Sequence, residues 1–182
     1  MSNFSGIEIF VKDVINKFGQ IDVLVNNAGK ADIKPVIRYN DSEYAEIMDI
    51  NLNGHYFLCK QVLKNMIKKN EGHIIHVSSI QSHGGAFNSV YSASKAALIG
   101  LSKSIALEYG KSNICSNVIF PGYLESAMTE KDTIDFKEKI KNDNCLKRLN
   151  DPNEVASFIA YLASMQNVSG QVFNLDSRII GN

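Results

Sequence analysis

Tyr91 stands four residues before Lys95 in "YSASKAALIG". Residues four apart share one face of a helix, so this spacing sets an ammonium beside a phenol. A free phenol has a pKa of about 10, and a nearby positive charge favours its ionised form. Proton transfer to or from a reacting oxygen works best when the pKa is close to the working pH. The pair therefore predicts an acid/base group for interconverting a carbonyl and a secondary alcohol, with Lys95 lowering the phenol's pKa. A serine hydroxyl both donates and accepts, so it can hold the substrate oxygen beside the phenol. "HIIHVSS" supplies two, with 12 residues between Ser78 and Tyr91 and 11 between Ser79 and Tyr91. A second such pair, Tyr56 and Lys60, has no serine-ended strand upstream and is read as structural. Taken singly, each part has a plainer role: serines at strand ends cap turns, and helix lysines face water. His73 and His76 lie three apart on a strand and point to opposite faces, and Cys59, Cys115 and Cys145 form no ligand-spaced pair, so no metal site is expected.

The elements that must carry these groups follow from the apolar pattern. Helical spacing covers 5–18, stopped by Gly19, then 41–69, 91–109 and 152–163. Asp41 or Ser42 is the expected cap of the second helix, which Gly54 bends, and Asp151 with Pro152 opens the last. Short apolar runs at 21–25, 73–79, 114–122 and 170–176 read as strands. Strands alternating with helices predict an α/β fold, a doubly wound parallel sheet with helices on both faces. Ligands in such sheets bind beyond the strands' C-terminal ends. Asn26, Asn27, Ala28 and Gly29, the Ser78–Ser79 pair, and Pro121 with Gly122 all fall at those ends.

The charges balance, 19 basic against 19 acidic, and only Arg38, Arg148 and Arg178 are arginines, which argues against a nucleic-acid partner. No apolar run is long enough to cross a bilayer, and no signal pattern opens the chain. The expectation is a cytoplasmic single domain over 1–182.

In combination these motifs resemble the short-chain dehydrogenase/reductase family, and the 3-oxoacyl-carrier-protein reductase type most of all, with sugar and polyol dehydrogenases near behind. "NNAG" at 26–29, Asn51 in "INLNG", the double serine, Tyr91 with Lys95, and "PGYLESAM" are similar to the family's motifs and span about residues 5–176. The resemblance implies a Rossmann-like fold and an NAD or NADP cofactor. It implies Asn51, Ser79, Tyr91 and Lys95 as catalytic residues, with Ser79 preferred to Ser78. It further implies that Asn26, Asn27, Ala28, Gly29, Tyr91, Lys95, Pro121, Gly122 and Ser126 contact the cofactor, Ser126 standing where a threonine is usual. A small carbonyl or alcohol is the implied substrate. Pairing through helices 41–69 and 91–109, as a homodimer or homotetramer, is implied as well, the latter helix offering Ala96, Ala97, Leu98, Leu101 and Ile105.

The resemblance also implies a glycine-rich phosphate-binding turn, and none of the twelve glycines has that spacing. Relative to the family, the first βαβαβ portion, on the order of 60 residues, has no counterpart. About four strands are expected to remain, with 21–25 as an apolar edge and dinucleotide binding weakened. The alternative function is an inactive family member acting as an association module.

Overall fold

The computed structural model describes residues 4–178. Ten main elements run in chain order: α1 (Ser5–Phe18), β1 (Val23–Asn26), α2 (Asp41–Met48), α3 (Gly54–Lys69), β2 (Gly72–Val77), α4 (Ser89–Tyr109), β3 (Ile114–Phe120), α5 (Ile134–Asp143), α6 (Pro152–Leu162) and β4 (Val172–Asn174). The four strands form one parallel sheet in the order β1-β2-β3-β4. β2 and β3 are buried along their whole length, as apolar strands covered on both faces must be.

Two clusters fill the faces. Val11 of α1, Cys59, Val62, Leu63 and Met66 of α3, and Ile105 of α4 pack with Ile74 and Ile114 on one side. Ile75, Val77 and Ile119 meet Val155 and Leu162 of α6 on the other. β1 is an edge strand, as the resemblance to the family implies for a chain without the first strands. Val23 and Val25, register partners of His73 and Ile75, are each 39% exposed.

Several details differ from the sequence reading. The first strand begins and ends later, so Asn26 is its last residue. Asn40, not Asp41 or Ser42, caps α2: its side chain accepts from the Glu43 amide while Glu43 reaches back to the Asn40 amide. The 41–69 stretch is divided by a wide turn at Asp49–Asn53 with the hydrogen-bond pattern of a π-helix, a form found often at functional sites. Gly54 follows that turn and continues into regular helix. Of the irregular 123–147 stretch, α5 is the regular part, opened by Thr133 accepting from the Phe136 amide. Leu98 and Ile105, read as part of an outward apolar face of α4, are buried inside the chain.

Candidate active site

The C-terminal ends of β1, β2 and β3 open into a cleft of about 270 Å³. Asn27 and Gly29 come from the turn after β1, Ser78 and Ser79 from the end of β2, and Pro121, Gly122 and Ser126 from the segment after β3. Tyr91 and Lys95 enter from the first turns of α4. Ile33, Leu124, Met128, Phe136 and Ile140 make the opposite wall largely apolar.

The two serines have different duties. Ser78 is buried and donates its hydroxyl to the Lys95 carbonyl at 2.8 Å. Ser79 lines the cleft beside Tyr91, accepts from the Gln81 amide at 3.1 Å and acts to lower the phenol's pKa. Of the two, Ser79 is the hydroxyl placed beside the phenol.

Lys95 is only 3% exposed, and its Nζ donates to the Val77 carbonyl at 2.7 Å. Burial pulls its pKa down to about 8. The ammonium sits 5.8 Å from the centre of the Tyr91 ring. The phenol's pKa nevertheless lies above its ordinary value: burial raises it, and the Ser79 bond lowers it only in part. This corrects the expectation that Lys95 makes the phenol acidic. Desolvation is the larger influence on the phenol, and the Lys95 ammonium donates to a backbone carbonyl of β2. The phenol is held in its protonated form.

Asn51 stands in the wide turn between α2 and α3 and is fully buried. Its Oδ1 accepts from the Lys30 amide at 2.7 Å, and its Nδ2 donates to the Lys30 carbonyl and to Ser94 Oγ at 2.9 and 3.0 Å. It thus ties the turn after β1 to α4, one residue from Lys95. Gly29 packs between them: a Cβ there would stand 3.3 Å from Lys95 Nζ and 3.7 Å from Asn51 Oδ1. Gly122 has φ +78°, and a Cβ there would collide with Asn150 at 2.5 Å. Asn150 in turn donates to the Pro121 and Leu175 carbonyls at 3.0 and 2.7 Å, fixing the Pro-Gly turn against β4.

Not every candidate meets the cleft. Asn26 is turned inward, its Nδ2 3.3 Å from both Cys59 Sγ and His76 Nδ1. Ala28 presents its backbone to His55. Ser126 lies on the cleft wall, its amide donating to Thr129 Oγ1 at 2.9 Å. Ser94, Asn150 and Arg178 belong to the site or its support and carry no sequence signal beyond their residue type. Among the described residues no group of three His, Cys, Asp or Glu side chains could hold a metal ion. No helix among them is long and apolar enough to cross a membrane.

A family model described as enoyl-(acyl carrier protein) reductase matches residues 1–177. The chain belongs to the short-chain dehydrogenase/reductase family. It is 36% identical over 177 residues to a 3-oxoacyl-(acyl-carrier-protein) reductase of Thermotoga maritima, covering 96% of this chain and 72% of that protein. A 3-oxoacyl-(acyl-carrier-protein) reductase of Vibrio cholerae is 36% identical over 165 residues, 90% of this chain and 68% of the relative. Carbonyl reductase family member 4 of Xenopus laevis is 36% identical over 178 residues, 97% of this chain and 74% of the relative. Membership in this dehydrogenase/reductase family makes the chain an oxidoreductase relative and implies a nicotinamide dinucleotide. The cleft residues fit such a group. Lys95 spends one of its three protons on Val77, and Asn27, Gly29, Pro121, Gly122 and Ser126 line the same cleft.

Proposed function

We propose that the chain reduces a carbonyl to a secondary alcohol, with Tyr91 donating the proton to the carbonyl oxygen and Ser79 holding that oxygen in place. The observation carrying this reading is that Tyr91, Ser79 and the buried Lys95 line one cleft at the C-terminal ends of the strands. A nicotinamide dinucleotide, NADH or NADPH, when bound supplies the hydride. Asn27, Gly29, Lys95, Pro121, Gly122 and Ser126 are the residues of this cleft that would hold it. Lys95, charged at neutral pH, favours the developing phenolate. Asn51 is a positioning residue that keeps Lys95 and the Gly29 turn in register. The names of its relatives support a 3-oxoacyl thioester or a small ketone as substrate.

The test is reduction of a 3-oxoacyl thioester at millimolar NADH and NADPH by wild type, Ser79→Ala and Ser78→Ala. Loss of one hydrogen-bond donor aimed at the reacting oxygen costs about 10²–10³ in kcat. Ser79→Ala is expected to lose that much. Ser78→Ala is expected to keep a rate within about tenfold while losing about 1 kcal/mol of stability with its hydrogen bond to the Lys95 carbonyl. The reverse ranking, or no rate in the wild type, contradicts the reading.

We also propose that the chain self-associates through α3 and α4. A groove of about 390 Å³ runs between them, lined by Tyr56, Leu63, Ile67, Leu101 and Tyr109, with Tyr56 half exposed. Light scattering is expected to give a mass of two or more copies for wild type and a lower mass for Tyr56→Asp. A single-copy wild type overturns the proposal.

A further inference from the structure

Arg178 enters the same cleft from the end of β4. Its Nε donates to Asp176 Oδ2 at 2.8 Å, its Nη2 bonds the same oxygen, and its amide donates to Asp176 Oδ1 at 2.9 Å. The Asp176 side chain is wholly buried, while that of Arg178 keeps 18% exposure. The segment between them is pinned too: Ser177 Oγ donates to Asn144 Oδ1 at 2.7 Å, and the Cys145 amide donates to the Ser177 carbonyl at 3.3 Å. The guanidinium is thus fixed in orientation before any ligand arrives. Of its five N–H groups, two are committed to Asp176 and three have no partner among the described residues. The cleft that it enters is lined in part by the apolar Phe136, Ile140 and Met128. The other acidic group of the cleft, Asp132, accepts the Tyr123 hydroxyl at 2.7 Å. Unspent donors on a planar, pre-oriented fork in an apolar setting match a carboxylate or a phosphate.

We propose that Arg178, oriented by Asp176, is a specificity residue that binds an anionic group on the carbonyl substrate. This rests on the reading of the cleft as a carbonyl site. The substrate class is then a carbonyl compound with a carboxylate or phosphate a few bonds from the reacting carbon, held so that its carbonyl oxygen reaches Tyr91 and Ser79. Lys95 is less suited to the anion, because its buried ammonium is drawn to the Val77 carbonyl.

The experiment compares binding without turnover, read from amide shifts of Ser79 and Tyr91 in the full chain. Two matched pairs serve as probes: acetoacetate against methyl acetoacetate, and dihydroxyacetone phosphate against dihydroxyacetone. Charge-assisted hydrogen bonds to a fixed guanidinium predict at least about tenfold tighter binding of an anionic member. A preference in the first pair alone identifies a carboxylate, in the second alone a phosphate, and either supports the proposal. Arg178→Met is expected to abolish the preference and leave the neutral members unchanged. Should that variant unfold, Arg178→Lys keeps the charge and loses the fork, and the preference is expected to fall several-fold. Equal binding within both pairs, or a preference that survives in the variants, overturns the proposal. Because no turnover is needed, an inactive but anion-selective cleft would sink the reductase reading alone. Failure of all four compounds to shift Ser79 or Tyr91 would sink both.

Discussion

Tyr91→Phe is expected to lower kcat for carbonyl reduction by about 10²–10⁴, the range a positioned general acid contributes, with KM nearly unchanged. Phenylalanine keeps the ring and its packing in the first turn of α4, so the change isolates the hydroxyl. What disappears is the proton that the reacting oxygen must receive. Ser79 retains its bond from the Gln81 amide and still holds the substrate oxygen, which is why binding survives. The phenol's raised pKa means that Tyr91 carries its proton near neutral pH, the state from which it can donate. Stability should change by about 1 kcal/mol, the net worth of one hydrogen bond. Steady-state kinetics of the two proteins, with their thermal midpoints, check all three expectations. Equal kcat values contradict the assignment.

The second large effect is on stability against pH. His55 and His76 lie buried beneath the turn after β1, with Asn26 and Cys59 beside them. Both ring nitrogens of His55, His76 Nε2 and Asn26 Oδ1 have no hydrogen-bond partner among the described residues. Burial pulls His55 down to about 4, helped by the Lys95 charge. Burial pulls His76 down to about 3, helped by His55 and Lys95. Both folded values lie below the unfolded one, so the unfolded chain binds more protons in acid. The stability these rings contribute is full above pH 6.5 and is lost as pH falls toward 4 and 3. At about 1.4 kcal/mol per pKa unit, the loss from His55 alone reaches about 3 kcal/mol by pH 4, a large part of a typical domain's total. Lys95 acts at the other end. Its folded pKa of about 8 lies below the unfolded 10.5, so its burial penalty is relieved as pH rises from 8 to 10.5. Urea unfolding at pH 4 to 10 is expected to show a steep acid limb and an alkaline gain. His55→Leu, which removes two unpartnered nitrogens and keeps the volume, is expected to flatten the acid limb and raise stability at pH 7. An unchanged acid limb contradicts the cluster's role.

What was legible in the sequence was what local spacing determines. A separation of four residues puts Tyr91 and Lys95 on one helix face, and apolar runs ending in Asn-Asn-Ala-Gly, Ser-Ser and Pro-Gly place three turns at one end of a parallel sheet. What was not legible depends on contacts between distant segments. The direction of the Tyr91 shift is set by desolvation of the ring in the cleft, opposed only in part by Ser79. Asn26 turns inward because β1 extends through it, and the pleat aims its side chain at His76 on the neighbouring strand. Asn150 holds the Pro121–Gly122 turn from 29 residues away. Arg178 looked like one of three scattered arginines until β4 carried it to the cleft.

A titration of the chain carrying ¹³Cζ-labelled tyrosine, in wild type and Tyr91→Phe, reads the state of the phenol directly. The resonance missing from the variant belongs to Tyr91. The account predicts that this resonance titrates above pH 10 in the ligand-free protein. Titration near pH 7 would mean an ionised phenol beside Lys95, and would contradict a site that holds its proton ready to give.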